Sequence, residues 1–102
     1  MHGAITADRQ LVPLGFQQTA AVDSTVSGLP SKPKNADYAF VQANGGDVRW
    51  RDDGTAPTST VGHKLLEDET FWYNGDIQKI QFIRDSGSSG TTTVNVSYYR
   101  PK

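Results

Sequence analysis

A single all-β domain, an antiparallel β-sandwich or jelly-roll-like barrel of about seven short strands, is the fold this sequence predicts. Turn signals recur at about the 8–12-residue spacing of sandwiches and barrels. No apolar run of helical period lasts long enough to stand as a helix. Ten glycines and five prolines in 102 residues, with 35% apolar content, favour short strands and many turns. With no helix to cover a face, a sheet folded over on itself is the compact solution. The length, residues 1–102, suits one core that buries roughly 60–70% of the surface of the unfolded chain.

Residues 1–9 are small and polar without a period and read as an extended arm, either a free tail or a strap along a neighbouring subunit. Leu11, Val12, Leu14 and Phe16 bring the first apolar density. Pro13 and Gly15 interrupt it, which predicts an edge strand or a late start. Thr19 to Val26, rich in Ala, Val and Thr, is expected to pair beside it. Gly28-Leu29-Pro30-Ser31-Lys32-Pro33-Lys34-Asn35 is a connection that excludes both helix and interior strand, and it introduces the main β region at 36–99. Tyr38-Ala39-Phe40-Val41, apolar on both faces, reads as a strand in the middle of the sandwich.

Asn44-Gly45-Gly46-Asp47 carries a hairpin signal into Val48-Arg49-Trp50-Arg51, whose alternation turns Val48 and Trp50 inward and Arg49 and Arg51 outward. Asp53-Gly54 then supplies a turn and Pro57 a stop. Lys64 to Glu69 has the composition of a single helical turn. Thr70 to Tyr73 reads as a strand closed by Asn74-Gly75-Asp76, and Gln78 to Ile83 alternates. Asp85 to Gly90 is a flexible loop by composition. The last strand sets Thr92, Val94, Val96 and Tyr98 against Thr93, Asn95, Ser97 and Tyr99. The expected core is Phe40, Val48, Trp50, Leu65, Phe71, Ile80, Phe82, Val94 and Val96.

Composition narrows function by exclusion. Ten Lys and Arg against eleven Asp and Glu give a net charge of -1, neither a nucleic-acid footprint nor an acidic tail. The chain has no cysteine, so a disulfide framework or thiolate metal site is out of reach. No apolar run approaches the ~20 residues of a membrane helix, and the N-terminus lacks the basic and apolar regions of a signal peptide. Synthesis in a cytosol is the expectation, with no membrane or nucleic-acid partner.

Candidate chemistry is sparse. His2 and His63, in the arm and in a loop, read as solvated side chains, since two histidines without cysteine do not make an ordinary zinc site. Asp47, Asp52, Asp53, Asp68 and Asp76 lack the alternate spacing and closing glutamate of a contiguous calcium loop, and turn aspartates bond their own backbone. No metal or cofactor is therefore expected. Acids confined to turns leave no glycosidase pair across a cleft, and serines 86–89 lack a nucleophile elbow. A binding or structural role ranks above an enzymatic one.

The aromatic residues Trp50, Trp72, Tyr73, Tyr98 and Tyr99 fit a core, a subunit contact or a surface that stacks on sugar rings. Strand alternation points Trp72 away from Phe71 and Tyr73, so one of these sets faces outward or into a partner. The residues expected at an interface are Arg49, Arg51, Asp52, Asp53, Trp72 and Tyr99, with the two arginines suited to bidentate contacts with a partner carboxylate.

The run from Val48 through Thr58, the pair Gly62-His63, Ile77 to Ile83 and the terminal Val94 to Tyr99 resemble a set of small virion proteins of tailed bacteriophages. Gly3 to Ala7 with Leu11 to Gly15 is similar to the start of such proteins. The resemblance covers most of the chain beyond residue 35. Its most distinctive piece is the turn from Arg51 to Pro57. It implies a non-enzymatic virion structural protein, made in the host cytoplasm and placed on the capsid exterior as a decoration or cement protein. The implied partners are the major capsid protein or other virion proteins and further copies of the chain, a trimer included. A tail or head–tail connector accessory is the alternative within the same class, and a carbohydrate-binding module for a host-surface glycan is the alternative outside it.

Overall fold

The computed structural model describes residues 10–21, 26–29 and 32–102. The arm at 1–9, His2, the 22–25 part of the second expected strand and Pro30-Ser31 of the connection lie outside these residues. Seven strands form: β1 Leu11–Ala21, β2 Tyr38–Asn44, β3 Val48–Arg51, β4 His63–Leu65, β5 Thr70–Tyr73, β6 Gln81–Arg84 and β7 Thr92–Pro101. They make two antiparallel sheets, one of four strands in the order β1-β7-β2-β5 and one of three in the order β4-β3-β6. The described residues are thus all-β, as the turn spacing predicts.

The core lies between the sheets. Ala39, Val41 and Ala43 of β2 and Val94, Val96 and Tyr98 of β7 meet Val48, Leu65, Ile80 and Phe82 from the other side, all buried. Trp50 and Phe71 pack against this cluster from its rim, their rings stacked at 5.1 Å and 15°. Period-2 alternation explains β7, where Thr92, Val94, Val96 and Tyr98 all turn inward. Ile83 is buried too, but it lies on the same side of the three-stranded sheet as Arg49, outside the main cluster.

Five expectations need correction. Phe40 is not core: β2 turns its small residues inward, because Tyr98, Phe82 and Ile80 already fill the interior, and Phe40 goes to the outer face. Asn44 to Asp47 is not a hairpin, since β2 and β3 belong to different sheets; it is a crossover between layers. Gly45 makes it at φ 84°, with its Cα hydrogens against the Thr91 carbonyl. Thr19 to Ala21 continue β1 rather than starting a second strand. His63 is in β4, not a loop, with its ring 4.7 Å from that of Trp50. Lys64 and Leu65 complete that strand, and Leu66 to Glu69 then turn through a bond from the Glu69 N–H to the Leu66 carbonyl, with Asp68 at φ 67°.

β1 is an edge strand with a register shift between Pro13 and Gly15, where the sequence places its two breakers. It pairs over its whole length with β7, so the ends of the described fold lie side by side.

Candidate interaction face

The outer face of the four-stranded sheet is built by alternation. Directly paired residues share a face, so the registers place the outward side chains in rows across the strands. One row runs Phe16, Ser97, Phe40, Trp72. Pro13, Tyr99 and Tyr38 flank it on one side. On the other comes an amide row of Gln18, Asn95 and Gln42, ending at Thr70, and beyond it Ala20, Thr93 and Asn44. None of these outward positions carries a charge, in a chain that is 21% charged.

The aromatic residues form one cluster. The Trp72 ring lies 4.9 Å from Phe40 and 5.2 Å from Tyr99, both tilted by 52°. All three are half-buried, while Phe16, in the same row at the sheet edge, is 65% exposed. The amide row is tied together: Gln18 Nε2 donates to Asn95 Oδ1 at 2.8 Å, and Asn95 Nδ2 to Gln42 Oε1 at 3.4 Å. Such bonds pre-order long side chains and lower the entropy lost on contact.

The expected interface residues fall into separate places. Trp72 and Tyr99 come together on this face. Arg49 does not point to a neighbour: its Nε donates to Asp85 Oδ1 at 2.7 Å and its NH1 to the Gly62 carbonyl at 3.1 Å. Asp85 is buried, its Oδ2 accepting from the Gly87 N–H at 2.9 Å with Lys64 Nζ 3.8 Å away. The Gly87 amide and then the Arg49 guanidinium hold its carboxyl below the usual aspartate range. The loop after β6 is therefore pinned at its start, and Ser88 Oγ holds it further by accepting from the Asp47 N–H at 2.8 Å.

Arg51 pairs with Asp53 two residues on, at 2.5 Å, on the surface. Asp53 also accepts from the Thr55 N–H at 3.4 Å, and Gly54 takes φ 89°, so the turn anticipated at Asp53-Gly54 forms. Asp52 goes inward at the rim to accept from the Tyr73 hydroxyl at 2.6 Å. Burial and then Asp52 push the Tyr73 hydroxyl pKa up. With Val61, Gly62 and His63, residues 51–53 line a shallow concavity of about 310 Å³.

Phe40, Phe16 and the amide row are the members of the outer face that sequence reasoning missed. Gln18, Gln42 and Asn95 each sit at the right parity in their strands, but their alignment depends on strand order, which alternation does not contain. Among the described residues, no group of three or more His, Asp or Glu lies close enough to hold a metal ion, and no helix is long and apolar enough to cross a membrane. No protein-family model matches the chain, and comparison with curated proteins and with solved structures returned no match.

Proposed function

We propose that the chain is a non-enzymatic structural protein of a tailed-bacteriophage particle, a decoration or cement protein on the head exterior that stabilises neighbouring capsid subunits. The observation that carries this reading is the uncharged outer face of the four-stranded sheet, with its aromatic cluster Phe40, Trp72 and Tyr99 beside a pre-ordered amide row. Loss of charge and gain of aromatic residues is the compositional mark of an interface core. The resemblance of Val48 to Thr58 and of the last strand to small virion proteins supports the same reading.

Four strands about 4.8 Å apart and four rows about 6.8 Å apart give a face of roughly 500 Å². That is below the ~800 Å² per partner of a standard interface, so one contact is weak and repetition on a symmetric shell supplies the occupancy. A tail or connector position would use the same face at lower copy number. The amide row also favours a second reading, a neutral glycan whose rings stack on Trp72 while its hydroxyls meet Gln18, Gln42 and Asn95.

The test is addition of the purified protein to expanded heads that lack it, with bound copies counted per particle. Trp72→Ser should lower occupancy by about tenfold or more, on the scale of a lost aromatic hot spot, with circular dichroism unchanged. Equal occupancy of the two proteins would remove the reading. Saturable change of Trp fluorescence with a neutral polysaccharide, without head binding, would favour the glycan.

A further inference from the structure

Among the described residues no strand pairs with the outer edge of β1, and the hydrogen-bonding groups of that edge can be assigned from the register. Pro101 has no N–H, so Leu11 and Pro101 form a non-hydrogen-bonded pair, and the Lys102 N–H indeed bonds the next residue over, the Gln10 carbonyl, at 3.0 Å. Carried along β7 past the shift at Pro13/Gly15, the alternation gives Gly15, Gln17 and Thr19 the bonds to β7. Phe16, Gln18 and Ala20 therefore aim their backbone N–H and C=O groups away from the sheet. The Ala20 carbonyl confirms it by accepting from Ser27 Oγ at 2.8 Å.

Five groups remain over this stretch of the edge, the N–H and C=O of Phe16 and of Gln18 and the N–H of Ala20, and among the described residues none of them has a partner. Ser27 flanks this strand at Ala20 and Pro33 lies beside Gly15, but the residues between carry little protection of their own. From Phe16 to Ala21 the strand carries no charge and no proline, and Phe16 is the most exposed large apolar side chain among the described residues at 65%. Soluble proteins ordinarily protect edges with charge, proline or short length. The opposite edge follows that practice: β5 has four residues and Glu67, Asp68 and Glu69 lead into it. On β1 the protection, Pro13 and the shift beside it, stops before Phe16.

We propose that this edge pairs with the same edge of a second copy, in antiparallel register about a two-fold axis through Gln17. The contact uses atoms separate from those of the face-on reading above and does not depend on it. Phe16 of each copy exchanges both backbone bonds with Gln18 of the other, which uses the four groups of these two residues and forms no bond to the occupied Ala20 carbonyl. A register centred on Gln18 would bring the mate's Phe16 N–H to that carbonyl, where it would have to share the acceptor with Ser27 Oγ. A second copy fits because the N–H and C=O groups of Phe16 and Gln18 are symmetric about Gln17 and because an uncharged edge meets its own image without repulsion. The two four-stranded sheets become one of eight, with their uncharged faces continuous. The contact is smaller than a standard interface, so the dimer is weak in dilute solution and fills where copies are concentrated.

Because the chain has no cysteine, a single introduced one reports the axis. Across it, Gln17 and its symmetry mate form a non-hydrogen-bonded pair with Cα atoms about 4.5 Å apart, within disulfide range. Thr19, on the same side of β1, would lie about 13 Å from its own mate. Under mild oxidation at high protein concentration, Gln17→Cys should dimerise about tenfold or more faster than Thr19→Cys. Adding Gln18→Pro, which deletes an N–H that the monomer does not use, should abolish the difference. Equal rates for the two cysteine variants, or cross-linking that survives the proline, would overturn the proposal. Gln17→Cys forfeits the bond that Gln17 Oε1 accepts from the Tyr98 hydroxyl at 2.6 Å. Sedimentation of the unsubstituted chain therefore provides a second readout: concentration-dependent dimer that Gln18→Pro removes is expected, and a monomer at every concentration overturns it.

Discussion

At Asp85 a carboxylate 3% exposed is held by one guanidinium, one backbone amide and a nearby ammonium. The arrangement joins β3, β4 and the loop after β6, so it closes one side of the three-stranded sheet. Asp85→Asn keeps the shape but removes the charge and turns an amide donor toward another donor. The expected loss is about 1.5–3 kcal/mol of unfolding free energy, the range for hydrogen bonds to charged groups, measured by urea titration. The pH dependence follows from the lowered carboxyl pKa. Its contribution is complete above the unfolded value of about 3.9 and declines as pH falls through the lower folded value. The wild-type protein should therefore lose stability in that acid window more steeply than Asp85→Asn. In the sequence Asp85 is only the first residue of a polar loop, since burial of a turn aspartate depends on which strand places an arginine opposite it. Tyr98 is absent from the expected core although β7 alternation sets it with Val94 and Val96; it is buried, and burial raises its hydroxyl pKa to about 12.

Strand identities were legible where alternation met clear punctuation. β5 and β3 match the segments that pattern and turn residues indicate, β7 runs two residues past its expected end at Tyr99, and β1 is the edge strand that Pro13 and Gly15 imply. Two matters were not legible. The pattern of β2, with bulk on one side and alanine on the other, does not say which side is interior; the volume supplied by the opposite sheet decides it. Glycine turns likewise look alike whether they join two paired strands or carry the chain between layers. Gly45 and Gly54 illustrate the difference, with φ 84° and 89°. A methyl on Gly45 would run into the Thr91 carbonyl, whereas one on Gly54 would meet nothing within 4 Å. Gly54→Ala should thus cost about 1–2 kcal/mol from the left-handed backbone alone. Gly45→Ala should cost about 2–4 kcal/mol, because overpacking is added. Similar losses by thermal denaturation would refute the distinction.

In the whole molecule, the first described strand pairs with the last, from Leu11 with Pro101 to Ala21 with Thr92. Loop closure across nearly the full chain must precede that contact, so folding should take milliseconds to seconds, as in other sandwiches dominated by distant pairing. Stopped-flow refolding that finishes within microseconds would contradict it. The charge distribution is also a property of this scale. The salt bridges found among the described residues lie on the three-stranded sheet and its loops, while the outer face of the other sheet is neutral. The pairing of β1 with β7 has a mechanical consequence as well. Both ends of the described fold emerge at the same end of one antiparallel pair, so tension between them opens the ladder one rung at a time, as a zip. Load entering through the broad face of the sheet would instead be shared by many bonds at once. A molecule of this build is weak as a link in a chain and strong as a rivet.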